Sequence, residues 1–192
     1  MYYLGIDLGT SSVKLLLVDE KGNITSEVSK DYPVFYPHSG WSEQNPEDWW
    51  TQTVEGIKEL TSNIDKSLIK GIGCGGQMHG LVALDENDKV IRPAILWNDG
   101  RTSEEVDFLN NKIGKSVLSE RTANIAFAGF TAPKILWMKK NEPELFEKIK
   151  QAVADKRWEI QGATWVEPDC NLSSGEALVR QFVHGKNYFM DF

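Results

Sequence analysis

The sequence has few cysteines, no excess of basic residues and no long apolar run. Two cysteines in 192 residues cannot build the disulfide framework of small secreted proteins, so we expect a reducing compartment and a cytoplasmic protein. The net charge of −7 argues against a nucleic-acid partner, which would require clustered lysine and arginine. No run is long enough to span a bilayer and no signal-peptide pattern opens the chain, so we expect no membrane association.

What the sequence does contain is a series of short apolar runs, and 41% of its residues are hydrophobic. Residues 2–6 and 13–18 flank a turn of small residues and predict a β-hairpin, and residues 24–28 continue as a third strand. An Asn-Pro-Glu-Asp sequence at residues 45–48 then begins an amphipathic helix, and its apolar face, which includes Trp50, is expected to pack in the core. This order of elements predicts an α/β fold of one to one and a half domains.

The turn of the hairpin offers groups that suit phosphate and magnesium. Its small residues leave backbone N–H groups and hydroxyls to face an anion. The carboxylate at the end of the first strand suits hydrated Mg²⁺. An ordinary hairpin, whose polar side chains satisfy turn hydrogen bonds, explains the same residues, and both interpretations stay open. The candidate phosphate and magnesium residues are Asp7, Gly9, Thr10 and Ser11. Among them, Asp7 is the candidate metal ligand.

A second candidate site follows a predicted strand at residues 72–76. The glycines of this stretch match the G-x-G-x-x-G pattern of dinucleotide-binding proteins. That pattern must open a helix, whereas strand, turn and strand are predicted here, so we reject a nicotinamide site. The polar edges and soft apolar surface of the next side chains suit a small polyol, while a buried structural histidine is the alternative. These residues are Gln77, Met78 and His79.

A third candidate segment follows the next apolar strand. Trp97 offers a flat face to a sugar, and Asn98 and Asp99 offer hydrogen-bonding groups. The alternative is a strand end that caps the following helix, because Thr102 and Glu105 form a capping box. The glycine at position 114 is expected to end that helix. Both interpretations hold together where strand ends lead into helices. We therefore expect this segment and the preceding one to meet around a single groove at neighbouring strand ends.

These motifs resemble a known family. Residues 7–11, Asp-Leu-Gly-Thr-Ser, resemble the first phosphate loop of the FGGY carbohydrate kinases, and residues 76–80 and 97–101 resemble the two sugar-site segments of the xylulokinases within it. Residues 40–46 and 127–134 are also similar. The resemblance implies an incomplete half-domain of the actin/hexokinase-type (ribonuclease H-like) ATPase fold. It further implies ATP and Mg²⁺ as cofactors, a ketopentose substrate such as D-xylulose, and sugar contacts at Met78 and His79. It is also compatible with a homo-oligomer.

The resemblance ends near residue 150. Residues 151–192 instead resemble a segment of the zinc-dependent α-mannosidases of glycoside hydrolase family 38. We therefore predict a chimera of an amino-terminal kinase domain, residues 1–150, and a foreign tail with a strand at residues 159–166 and a helix capped by Ser173. Glu167 and Asp169 are more simply explained as solvated or capping acids than as a glycosidase pair. The sequence has no cluster of mannosidase-type zinc ligands.

Two functional hypotheses remain. The first is a sugar kinase domain, in which a general base assists phosphoryl transfer from ATP to a sugar hydroxyl. The family resemblance places that base, the second phosphate loop and the adenosine pocket beyond residue 150. We therefore expect this chain, by itself, to bind sugar weakly and to turn over no substrate. The second hypothesis is a sugar-binding or inert chimeric fragment, and mannosidase activity is the least favoured.

Overall fold

The computed structural model describes residues 1–154. Its main sheet has four strands in the order β3-β2-β1-β5. The first three are antiparallel neighbours, and β5 lies parallel to β1. The predicted mixed sheet, opened by three antiparallel strands, is therefore confirmed. The strands are β1 (Tyr2–Leu8), β2 (Ser12–Asp19), β3 (Ile24–Asp31), β4 (Glu43–Gln44), β5 (Ile69–Gly76) and β6 (Ala94–Ile95).

The helices follow the strands and begin close to the predicted positions. Asn45 caps the first helix by accepting a hydrogen bond from Glu47 N at 3.3 Å, as the Asn-Pro-Glu-Asp sequence predicted. A short 3₁₀ turn, Lys66–Leu68, precedes β5. The helices are α1 (Pro46–Leu60), α2 (Ser103–Asp107), a π-helical segment (Phe108–Gly114), α3 (Lys115–Thr122), α4 (Thr131–Asn141) and α5 (Pro143–Ala154).

The first core lies between the sheet and α1. Alternate residues of β2 are almost fully buried because side chains of a strand point to opposite faces in turn. A Cβ atom on Gly56 would lie 2.4 Å from Leu15 Cδ1, so the absence of a side chain there lets α1 approach the sheet closely. Trp50, predicted to face this core, is 69% exposed, and Trp49 packs against the core instead. The core residues are Leu4, Val13, Leu15, Leu17, Tyr32 and Leu60.

A second core lies under α4 and α5. It includes Ile95 of β6, which pairs with β4 in a small antiparallel sheet. The strand, turn and strand predicted after residue 80 are present only as single bridges, Leu81 to Ile95 and Leu84 to Val90. They join the second core to the small sheet. Its buried residues are Leu81, Ala83, Ile95, Trp137, Met138 and Ile149.

The helical stretch after residue 102 differs from the prediction in two respects. Thr102 is the N-cap of α2, but its hydroxyl donates to Ala128 O at 3.2 Å, so the predicted capping box is not formed. Gly114 does not end the helical region, because the π-helical segment runs into α3 at that point. Gly114 has a φ of 104°, a conformation that favours glycine, and it therefore redirects the helix without stopping it.

The predicted tail falls largely outside the described residues. The strand at residues 159–166, the helix capped by Ser173 and the acids Glu167 and Asp169 all lie beyond residue 154. They stay predictions. Among the helices of residues 1–154, none has both the length and the apolar character needed to cross a membrane.

Candidate functional site

Three carbonyl groups of the turn between β1 and β2 accept hydrogen bonds from other parts of the protein. Gly9 O accepts from the Tyr32 hydroxyl at 2.5 Å, and Ser11 O accepts from Tyr32 N at 3.1 Å. Thr10 O accepts from Gln44 Nε2 at 2.6 Å. A trans peptide points its C=O and N–H in opposite directions, so the N–H groups of Thr10 and Ser11 point away from these donors. Such adjacent amides form a cradle that suits an anion.

The charge state of Tyr32 keeps this turn in shape. Burial and, to a smaller extent, the negative charge of Asp7 raise the pKa of Tyr32 to about 12. The phenol therefore stays protonated at neutral pH and continues to donate to Gly9 O. Asp7 itself is exposed at the end of β1, next to the turn. Its carboxylate can meet an ion that binds at the cradle.

Gln44 joins the turn to the first sugar segment. This side chain is only 1% exposed, and its Nε2 donates to Thr10 O at 2.6 Å and to Pro33 O at 3.3 Å. Its Oε1 accepts from Trp49 Nε1 at 3.0 Å and from Gln77 Nε2 at 3.1 Å. Because an indole only donates, Trp49 fixes which end of the amide faces which partner. Gln44 is thus a buried link between Thr10 and Gln77.

The second sugar segment contacts the same threonine. Trp97 Nε1 donates to Thr10 Oγ1 at 3.0 Å, and the indole remains 47% exposed. Thr10 is therefore held by Trp97 directly and by Gln77 through Gln44. Within residues 1–154, Gln77 Oε1 is buried without a hydrogen-bond partner, which leaves one acceptor beside the turn. The structure brings the predicted phosphate turn next to residues from both predicted sugar segments.

The first sugar segment forms a tight turn after β5. Gln77 N donates to Leu8 O at 2.8 Å, which places the start of this segment beside the end of β1. Met78 is 52% exposed, and His79 is half-buried with its ring centroid 4.6 Å from that of Phe130. His79 also has a φ of 61°, in the left-handed region that few L-residues adopt. A sugar contact and a structural role for His79 therefore both stay predictions.

Asp99 is bound by donors of the protein itself. Its Oδ1 accepts from Arg101 N and Nε, both at 2.9 Å, and its Oδ2 accepts from Ser42 N at 2.6 Å and Arg101 Nη2 at 2.8 Å. Four hydrogen bonds fill the acceptor capacity of a carboxylate. Asp99 therefore faces inward, while its neighbour Asn98 is exposed. A sugar contact at Asp99 stays a prediction.

The partner of Asp99 is part of a buried charge cluster. The Arg101 side chain is inaccessible to solvent, and its Cζ lies 3.8 Å from the ring centroid of Trp41. Glu43 Oε1 lies 2.7 Å from Arg101 Nη2 in an ion pair, and it accepts a hydrogen bond from Arg92 Nη2 at 2.5 Å. We call these four charged residues the Arg101 cluster: Glu43, Arg92, Asp99 and Arg101. The cluster therefore connects the end of the second sugar segment with Glu43 of β4.

Lys134 is a buried residue that the sequence analysis did not select. It lies on α4, is fully inaccessible to solvent, and donates from Nζ to His79 O and Gly129 O, each at 2.7 Å. Burial lowers the pKa of Lys134 to about 8, an effect that the negative charge of Asp99 opposes and the positive charge of Arg101 reinforces. Residue type alone does not mark it as buried, because lysine is almost never fully buried unless it is paired.

Raising the pH is expected to stabilise the protein relative to a Lys134→Met variant. Above about pH 8 the folded chain loses the Lys134 proton, whereas the unfolded chain keeps it up to the ordinary pKa of 10.5. The unfolded state then binds more protons, so the free energy of unfolding rises with pH between these values. Urea unfolding at about pH 7 and about pH 9.5 should show the wild-type chain gaining about 2 kcal/mol over the variant. A difference that does not change with pH would contradict this assignment.

The amino-terminal part of the chain matches a family model. Residues 2–164 match the amino-terminal domain of the FGGY family of carbohydrate kinases. The chain belongs to this family. The match continues past the junction predicted near residue 150, and the α-mannosidase resemblance of residues 151–192 stays a prediction.

Relatives and solved structures agree with this family. The xylulose kinase of Bacillus subtilis is 50% identical over 149 residues, which cover 77% of this chain and 30% of the relative. A "xyloylose kinase" structure from Brucella ovis is 44% identical, with a TM-score of 0.73. The match covers 78% of this chain and 31% of the Brucella ovis chain. A gluconate kinase structure from Lactobacillus acidophilus is 29% identical, with a TM-score of 0.73. The match covers 78% of this chain and 30% of the Lactobacillus acidophilus chain.

These comparisons confirm the predicted fold. Residues 1–154 form part of an α/β domain of the actin/hexokinase type, as in the FGGY kinases. The chain spans about 30% of the length of the curated relatives that it matches. The activity of a whole FGGY kinase is therefore a matter for proposal.

Proposed function

We propose that residues 1–154 provide the sugar side and one phosphate turn of an ATP-dependent sugar kinase that acts on a ketopentose, D-xylulose. The observation that carries this proposal is the position of Thr10, which Trp97 contacts directly and Gln77 contacts through Gln44. In phosphoryl transfer the acceptor and the transferred group must be held next to each other. A turn suited to phosphate, lying beside side chains suited to a sugar, meets that requirement.

The choice of a ketopentose draws on the relatives and on the exposed side chains. Relatives from Bacillus subtilis and Escherichia coli that are 50% and 43% identical to this chain are xylulose kinases. The exposed faces of Met78 and Trp97 give a small polyol an apolar surface. Gln77 Oε1 provides a buried acceptor for a hydroxyl, and Asn98 an exposed amide. These groups suit an uncharged sugar better than a carboxylated one.

Mg²⁺ and ATP fit the turn on chemical grounds. The amides of Thr10 and Ser11 point away from the donors that hold the neighbouring carbonyls, and Asp7 supplies an exposed carboxylate. No group of three or more metal-ligating side chains occurs within residues 1–154, which agrees with a magnesium ion that keeps waters and phosphate oxygens as ligands. Bound Mg²⁺ would supply positive charge that neutralises the negative charge of the phosphate oxygens.

Titration calorimetry of the chain with D-xylulose tests the sugar proposal. We expect saturable binding, weaker binding of D-gluconate, and at least a tenfold loss of D-xylulose affinity in a Trp97→Ala variant, since the indole face supplies contact area that alanine lacks. Trp50→Ala is the matched control, because Trp50 is also exposed but lies on α1. Equal affinity of the wild-type and Trp97→Ala chains for D-xylulose would contradict the proposed site.

An Asp7→Asn variant tests the phosphate turn separately. We expect the magnesium-dependent part of pyrophosphate binding to weaken about tenfold, because one full charge facing the metal is lost. D-Xylulose affinity should stay within twofold. Glu86→Gln, which removes an exposed charge in another turn, is the control. If Asp7→Asn binds magnesium pyrophosphate as tightly as the wild-type chain, Asp7 is an ordinary turn residue.

A further inference from the structure

Lys134 contacts the backbone of the first sugar segment. Its Nζ donates to His79 O at 2.7 Å, and the Thr131 hydroxyl donates to the same oxygen at 3.3 Å. Both donors come from the start of α4. The ring of His79 meanwhile packs on Phe130, the N-cap residue of that helix. The conformation of the first sugar segment is therefore set from α4.

The restraint is needed because His79 is in an unfavourable conformation. A φ of 61° brings Cβ of an L-residue close to its own backbone, and such residues persist only where their surroundings hold them. A hydrogen bond from a charged ammonium is stronger than one from a neutral group. Lys134 therefore supplies the principal hold on the His79 carbonyl, and Thr131 a weaker one.

The second hydrogen bond of Lys134 extends to the other sugar segment. Nζ donates to Gly129 O at 2.7 Å. A Cβ atom on Gly129 would lie 2.5 Å from Trp97 O, so the two backbones are in close contact at this point. Fixing Gly129 therefore fixes the position available to the Trp97 backbone.

We propose that Lys134 is a positioning residue of the sugar site, whose buried ammonium holds the His79 turn and the Trp97 strand end in register through the carbonyls of His79 and Gly129. This inference rests on the proposed sugar site. Asp99 and Arg101 are the charged groups that face the ammonium, and Asp99 provides the negative charge that keeps it in place. Both of these hydrogen bonds of Lys134 go to backbone carbonyl oxygens. Lys134 therefore acts on the sugar indirectly, through the two segments that it holds.

A Lys134→Met variant tests the proposal, because methionine keeps the length of the side chain and removes the donors. The first measurement is the ring resonance of His79 in the proton NMR spectrum, assigned with a His79→Gln variant among the three histidines of the chain. The second is the D-xylulose dissociation constant from calorimetry. Lys139→Met, an exposed lysine on the same helix, is the control.

We expect the His79 resonance to shift and that of His38 to stay in Lys134→Met, with D-xylulose affinity reduced about tenfold. Lys139→Met should match the wild-type chain in both measurements. A residue that only stabilises the fold would change the unfolding midpoint and leave the His79 resonance and the affinity of the folded chain unchanged. That result would overturn the proposal.

A second variant covers the case in which Lys134→Met does not fold. Thr131→Val removes the weaker donor to His79 O and keeps the shape of the side chain. We expect a smaller shift of the His79 resonance and an affinity loss of about twofold to threefold. An unchanged His79 resonance would then count against the proposal. The resonance does not depend on sugar, so a shift in a chain that binds no D-xylulose would reject the proposed function and support the role of Lys134 in holding His79.

Discussion

Replacing Asp99 with asparagine is expected to lower the free energy of unfolding by about 3 kcal/mol, because the buried Arg101 loses its main counter-charge. The Arg101 and Asp99 side chains are both inaccessible to solvent, and two of their hydrogen bonds form a bidentate pair. Asparagine also turns N–H groups toward the donors of Arg101 and Ser42. Glu43 is the remaining carboxylate at Arg101, and it is shared with Arg92.

This effect is measured by comparing the free energies of urea unfolding of the Asp99→Asn variant and of the control variant Glu104→Gln. Glu104 pairs with Lys140 on the surface, where water and salt screen the charges and removing one of them has little effect on stability. A loss of stability in Asp99→Asn no larger than that in Glu104→Gln would contradict the assignment of Asp99 to the Arg101 cluster. Calorimetry of the folded Asp99→Asn chain with D-xylulose decides whether Asp99 also contacts the sugar.

The main sheet could be predicted because its signals are local. Alternation of apolar residues in β2, small residues in the turn and the Asn-Pro start of α1 each depend on neighbours in the sequence. The same holds for residues 77–79 and 97–99, whose positions after β5 and β6 follow from the ends of those strands. Trp97 contacts Thr10 directly and Gln77 is linked to it through Gln44, while a common groove for all six residues stays a prediction.

The polar residues that connect these segments could not be predicted. Gln44 and Lys134 resemble ordinary surface residues in their local sequence, and each is buried by partners that are distant along the chain. Burial of a polar side chain depends on hydrogen-bond partners that only the tertiary structure supplies. Trp49, and not the predicted Trp50, packs against the core for a related reason, since the indole N–H of Trp49 donates to Gln44 Oε1. A hydrophobic period alone cannot distinguish adjacent tryptophans at the start of a helix.

A Gln44→Leu variant is expected to lose about 3 kcal/mol of stability and about a factor of ten in D-xylulose affinity. Leucine is close to glutamine in size, but it leaves Thr10 O, Trp49 Nε1 and Gln77 Nε2 without the partner that the structure gives them. Each buried polar group that loses its hydrogen bond costs about 1–3 kcal/mol. The affinity falls because Gln77 is no longer held beside the phosphate turn.

The same substitution at Gln52, a half-buried residue of α1, is the control, and it should stay within about 1 kcal/mol of the wild-type chain. A double-mutant cycle with Gln77→Leu then isolates the link between Gln44 and the sugar segment. If Gln44 acts on sugar through Gln77, the affinity loss of the double variant, in free energy, should be smaller than the sum of the losses of the two single variants. Strict additivity would mean that Gln44 stabilises the turn without positioning Gln77, and the sugar and phosphate sites would then be adjacent but independent.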